Sequence, residues 1–139
     1  MFGFFQWIAL KYLEIAKEVM MIRALIADDD EITRVLLRSM LRQNGIDVVG
    51  EARNGADAQA LCSKFKPDIL FLDINMPRAS GIEVLKAIKS DHPGVFVIMI
   101  SSDATLLNVQ EACALGADNF IVKPFSQAKV MDVVVRSLD

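Results

Sequence analysis

Cysteine is scarce in this chain. There are two, Cys62 and Cys113, in neither a C-x-x-C pair nor any metal-ligand spacing. That excludes a disulfide framework, a thiol redox motif and a cysteine zinc site. Both lie in apolar helical stretches and read as small buried thiols in a reducing compartment. Histidine is scarcer still: His92 stands alone beside Pro93, in a turn setting. Positive charge is not in excess. The 15 Lys and Arg face 18 Asp and Glu, a net charge of −3, so nothing marks a nucleic-acid-binding surface. Uninterrupted apolar runs are missing too. The apolar opening stretch, residues 1–20, carries Lys11, Glu14, Lys17 and Glu18, whereas a membrane span needs about 20 nearly continuous apolar residues. It has no basic n-region or cleavage pattern of a signal peptide and no cationic face of a membrane-surface helix. These absences point to a cytoplasmic protein without a membrane span.

What is there suits one compact domain. The 139 residues are 53% hydrophobic and 24% charged, enough to bury a core without staples. From residue 23 onward, short apolar runs alternate with helical periodicity. The runs "RALIA" (23–27), "DVVGEA" (47–52), "DILFLD" (68–73), "VFVIMI" (95–100) and "NFIV" (119–122) read as strands. Their near-continuous apolarity is that of strands buried on both faces. Between and after them lie helical stretches at 31–44, 55–65, 81–90, 105–116 and 126–138. In the first, Ile32, Val35, Leu36 and Met40 form the apolar stripe, with Arg34, Arg38 and Arg42 opposite. Gly45 and Gly116 mark helix stops, and Pro67 blocks continuation of the second helix. Five strands alternating with five helices predict an α/β domain with a parallel sheet covered on both faces.

In such sheets ligands sit outside the carboxyl ends of the strands. The residues leaving those ends here are Asp28–Asp30, Asp73, Ser101–Asp103 and Lys123. Converging carboxylates repel one another, and one keeps its proton unless a cation neutralises them. Mg²⁺ is the simple remedy, because it takes oxygen ligands and is held by a few carboxylates together with phosphate oxygens. An aspartate at a strand end, with a metal and a lysine nearby, can accept a phosphoryl group. That transfer needs positioning and charge neutralisation more than proton chemistry. Asp73 is the best nucleophile, Lys123 a partner for phosphoryl oxygen, and Ser101 a hydroxyl donor.

Residues 22–138 resemble the receiver domain of two-component response regulators. The acidic pair Asp28/Asp29 precedes Asp73 by 45 and 44 positions (73 − 28 and 73 − 29). "FLDINMPRASG" (71–81) keeps the D-x-x-M-P-x-x-x-G spacing of the family's phosphorylation loop. "IMISSDA" (98–104) is similar to its switch strand, and "FIVKPF" (120–125) to its last strand, whose Lys-Pro bond is cis in the family. The resemblance implies a flavodoxin-like, doubly wound, five-stranded parallel sheet in the order 2-1-3-4-5, for which the chemotaxis regulator is the standing example. It implies that Asp73 is the phospho-acceptor. Asp28, Asp29, Asp73 and the backbone carbonyl of Asn75 would hold Mg²⁺. Ser101 and Lys123 would bind the phosphoryl group, and Phe120 would swing inward with Ser101 as the switch. Partners follow: a sensor histidine kinase or histidine phosphotransfer protein as donor, and a downstream protein on the face of the helix at 105–116, the last strand and the last helix, where Leu106 and Leu107 add apolar surface. Such a domain is not a conventional enzyme, but it catalyses its own phosphorylation and slow dephosphorylation.

Each residue also has a plainer reading. Asp28–Asp30 could cap the following helix, and Asp30 is expected to do so. Asp73 could be a turn aspartate, Lys123 a surface lysine, Ser101 a helix cap and Phe120 a core residue. Ser102 stands where the family more often has Ala or Gly, which narrows access to the phosphoryl group. Asn75 and Asp103 flank the path of attacking water, and their polarity predicts a phosphoryl lifetime neither unusually long nor very brief, an expectation that a lifetime of hours would overturn. Asn75 in place of a second acid argues against an aspartate-nucleophile phosphohydrolase, and the acidic first loop argues against a flavin site. The readings left open are a stand-alone receiver, a receiver fragment of a larger, for example DNA-binding, regulator, and a pseudo-receiver that only binds a partner.

Residues 1–20 are expected to form an amphipathic extension before a receiver at 21–139. Phe5, Ile8, Tyr12, Ile15 and Val19 fall on one stripe of it. It is expected to pack on its own domain or to pair with a second copy as a homodimer. Met20 and Met21 offer a later start.

Overall fold

The computed structural model describes residues 3–102 and 105–138. Asp103, singled out above, lies outside them, as do the side chains of Val19 and Leu106. Helix α1 (Phe4–Met20) leads into β1 (Arg23–Ala27), α2 (Glu31–Gln43), β2 (Asp47–Ala52), α3 (Gly55–Phe65), β3 (Ile69–Asp73), α4 (Gly81–Asp91), β4 (Phe96–Ser101), α5 (Leu106–Ala114), β5 (Asn119–Val122) and α6 (Gln127–Arg136). All strand pairs are parallel, and the sheet order is β2-β1-β3-β4-β5. The flavodoxin-like arrangement expected from the sequence is the one observed.

Side chains alternate across a strand, so each strand serves two cores. Ala24, Ile26, Ile69 and Phe71 point to one side and pack with Leu37 and Leu41 of α2 and Val130 and Val134 of α6. Leu25, Leu70 and Leu72 point to the other and meet Cys62 of α3 and Val84 and Leu85 of α4. The helices after each strand start on polar caps: Asp30, Asn54, Ser80, Thr105 and Ser126 each accept a backbone N–H of the first turn. These caps hold five helix N-termini at the carboxyl rim of the sheet.

At one point the rim requires glycine. A Cβ on Gly81 would lie 2.1 Å from the carbonyl oxygen of Asp73 and 2.6 Å from Cα of Ile74. The Gly81 N–H instead donates to the Ile74 carbonyl at 2.6 Å. The first turn of α4 is thereby laid on the backbone that carries Asp73.

Three expectations are corrected. In α2 the core face is Leu37 and Leu41, with Thr33 and Arg34 buried beside them, while Ile32, Val35 and Leu36 are exposed. The apolar arc is wider than the sheet can cover, and Arg34 is buried because its guanidinium finds acceptors there. Cys113 is exposed, unlike Cys62, whose thiol burial pushes up to about 11. Helix α1 packs on its own domain less than expected: Phe4, Phe5, Trp7, Ile8, Tyr12 and Leu13 are exposed, while Tyr12, Ile15 and Ala16 border Gln43, Asn44, Gly45 and Met131.

Candidate functional site

The rim brings the predicted residues together. Asp28 follows the last residue of β1, Asp73 ends β3, Ser101 ends β4 and Lys123 follows β5. Their backbones are tied across strands. The Asp28 N–H donates to Ala52 of β2 at 3.0 Å, Ile74 N–H to Ile100 of β4 at 3.1 Å, and Lys123 N–H to Ser101 at 2.8 Å. Asp28, Asp73 and Ser101 are buried, Asp29 and Asn75 are exposed, and Lys123 is half-buried. Oxygens of Asp28, Asp29 and Asp73 all lie within 4.8 Å of one another. The Lys123 ammonium lies 2.8 Å from Asp28 Oδ2 and 3.7 Å from Asp73 Oδ1.

The electrostatics follow from that crowding. Burial first, and then the Asp28 charge, push the Asp73 carboxyl up to about 7; Lys123 and the Asn75 N–H, 3.3 Å from Oδ1, only partly offset them. For Lys123, burial works to lower the pKa, but the contact with Asp28 and the negative charges of Asp73 and Asp28 raise it overall. Asp28 Oδ1 accepts the Asp30 N–H at 2.8 Å. Its Oδ2 is buried with no donor aligned for a hydrogen bond. The Lys123 contact at 2.8 Å is an ion pair at poor angle rather than a substitute for one. Asp30 takes the capping role: its Oδ1 accepts Ile32 N–H and its Oδ2 the Thr33 hydroxyl, which holds its carboxyl below the usual range.

These features fit a hard divalent cation. Three carboxylates converge, one buried oxygen lacks an aligned donor, and a single lysine does not balance the charge. Mg²⁺ needs oxygen ligands of this kind and leaves coordination positions for water or phosphate.

Phe120 is half-buried against the α3–α4 core, and the Lys123–Pro124 bond is cis. Arg34, whose spacing predicts a place opposite the apolar stripe, is buried, and its Nη1 donates to the Asp28 carbonyl at 2.7 Å. The one signal was its place on the first turn of the helix that follows the acids.

The chain matches the response regulator receiver domain over residues 24–135. It is 40% identical over 116 residues to protein CcdB of Bacillus subtilis, covering 84% of this chain and 97% of that one. It is 38% identical over 112 residues to the chemotaxis protein CheY of Thermotoga maritima, covering 81% and 93%. Among solved structures, the CheX–CheY–BeF3–Mg²⁺ complex from Borrelia burgdorferi contains a chain that superposes with a TM-score of 0.82 at 32% identity, covering 85% of this chain and 90% of that one.

Proposed function

The chain belongs to the response regulator receiver family, and from that premise we propose that it is a phosphorylation switch with Asp73 as acceptor. The observation that carries the reading is the placement of Asp73: buried, at the end of β3, with Asp28 and Asp29 within reach on one side and Lys123 Nζ 3.7 Å away on the other. Asp28, Asp29, Asp73 and the Asn75 carbonyl would hold Mg²⁺, which when bound neutralises phosphoryl oxygens and relieves the repulsion among the acids. An Asp73 oxygen forms a bond to phosphorus as the P–N bond of a donor phosphohistidine breaks, and the imidazole leaves with the electron pair. Lys123, released from Asp28, pairs with a phosphoryl oxygen, and the Ser101 hydroxyl donates to another. The chain thus promotes its own phosphorylation and, more slowly, its hydrolysis.

The donor, a sensor histidine kinase or phosphotransfer protein, has an apolar landing strip beside the site: Ile32, Val35 and Leu36 are exposed on α2, and Phe125 lies next to Lys123 and Ser102. Phosphorylation adds about −1.5 to −2 charge. Ser101 and Phe120 convert that into a change on the α5–β5–α6 face, where Leu107 and Val122 are exposed. No helix among the described residues is long and apolar enough to cross a membrane, in keeping with a cytoplasmic switch.

The test is mass spectrometry after incubation with acetyl phosphate and Mg²⁺. A phosphoryl adduct that needs Mg²⁺ and is absent from Asp73→Asn is expected. No adduct on the native chain would favour a partner-binding pseudo-receiver.

Helix α1 supports a homodimer. Phe5, Ile8, Tyr12 and Ile15 recur at three- and four-residue steps, the spacing of a paired-helix seam, and all four are exposed. A helix of this length gains little stability without packing. Sedimentation should give a dimer for the native chain and a monomer for Ile8→Lys.

A further inference from the structure

We infer that Arg34 is a positioning residue for the metal-binding acids: it holds the peptide between Asp28 and Asp29 from behind. The inference rests on the Mg²⁺ reading given above. The Arg34 side chain is 6% exposed, with Nε 3.7 Å from Glu51 Oε1. Its Nη1 donates to the Asp28 carbonyl at 2.7 Å. Glu51 is itself pinned by Arg38, whose Nη1 lies 2.7 Å from Oε2, and it sits on β2 opposite Ile26 of β1.

The Asp28 residue is therefore gripped at both ends. Its N–H donates to Ala52 of β2 at 3.0 Å, and its C=O accepts from Arg34. That carbonyl belongs to the peptide leading to Asp29, so its direction sets where the exposed Asp29 carboxylate leaves the chain. The Asp29 carboxylate is exposed, and the peptide behind it is what aims it. Without Arg34 the Asp28 carbonyl becomes a buried acceptor without a donor, and the peptide gains by turning toward water.

Charge and position predict opposite effects here. A cation behind the acids repels Mg²⁺ through space, so a purely electrostatic role would make Arg34 a hindrance to the metal. A positioning role makes it a help. A role confined to tying α2 to β2 would alter melting and leave Mg²⁺ affinity alone.

Isothermal titration of Mg²⁺ into the native full-length chain, Arg34→Gln, Arg34→Lys and Arg42→Gln separates these. Partners behind ligating groups are worth about 10–100-fold in metal affinity, and a loss in that range is expected for both Arg34 variants. Arg34→Lys keeps the charge and loses the fork, so it carries the test should Arg34→Gln fail to fold. Arg42→Gln removes the same charge from an exposed position on α2, outside the Asp28–Arg34–Glu51 brace, and should bind Mg²⁺ as tightly as the native chain or more so. Native or tighter binding by the Arg34 variants overturns the inference while leaving the Mg²⁺ reading intact. No binding by the native chain overturns both.

Discussion

The two ends of the sheet use the same residue types to opposite purposes. At the amino end, Lys89 Nζ lies 2.7 Å from both Asp118 Oδ2 and the Val95 carbonyl. Asp118 Oδ2 also accepts the Val97 N–H at 2.8 Å, and Asp68 Oδ2 the Arg23 N–H at 2.9 Å. Each of these carboxylates is answered by a backbone donor or a cation, and the result is closure: α4, β4 and β5 are bolted together, and β1 is tied to β3. At the carboxyl end, three carboxylates crowd together, Lys123 pairs with two of them, Asp28 and Asp73, and a buried Asp28 oxygen has no aligned hydrogen-bond donor. Charge there is left in surplus. Saturated polar groups stabilise a fold, whereas a deliberate shortage of partners leaves capacity for a ligand.

The contrast can be broken most severely through pH. The Asp73 carboxyl is raised from 3.8 to about 7 in the folded chain. Between those values the native state binds the extra proton, so its contribution to stability is complete below 3.8 and is lost as pH rises through about 7. The span corresponds to a penalty on the order of 4 kcal/mol for the ionised form at high pH. Without Mg²⁺, Asp73→Asn should therefore be more stable than the native chain at about pH 8 and lose that advantage near pH 4 in urea titrations. Saturating Mg²⁺ should shrink the difference by stabilising the native chain. An advantage independent of pH would mean that neither burial nor the neighbouring acids strain the ionised Asp73 carboxylate.

A smaller effect sharpens the other end. Asp118→Asn removes the Lys89 pair and weakens an acceptor for Val97, at a cost of about 1–3 kcal/mol. Urea titration should report that loss, with Mg²⁺ affinity and phosphoryl uptake unchanged. A change in either would show that the amino end is coupled to the site. Smallest is Asp30→Ala, which removes the cap of α2 at a cost of about 1 kcal/mol. Thermal unfolding checks it, and phosphoryl uptake should persist because Asp30 is occupied with Ile32 and Thr33 rather than with the metal.

Much of this was legible in the sequence. The strands at 23–27, 47–52 and 119–122 stand where their apolar runs are. Once strands and helices alternate, topology alone carries Asp28, Asp73, Ser101 and Lys123 to one rim. What the pattern could not resolve was rotation. In α2 both Ile32/Val35/Leu36 and Leu37/Leu41 belong to one broad apolar arc, and periodicity does not say which flank the sheet covers. Arg34 follows the same logic: burial of its guanidinium depends on acceptors from Asp28, a few residues upstream, and from Glu51, which comes near only in the fold. Cys113 shows the limit from the other side, since an apolar helical setting did not bury it. For α1, the spacing tells that a face exists but not what meets it.

The contact between Gly81 and the backbone of Asp73 and Ile74 bears on how such a domain can diversify. Because the loop from Ile74 to Gly81 is fastened at its neck, its outermost side chain, Arg78, is exposed and bears little of the core's weight. Such a side chain can be exchanged across generations without displacing Asp73. Partner choice is thereby free to drift while the chemistry stays where it is.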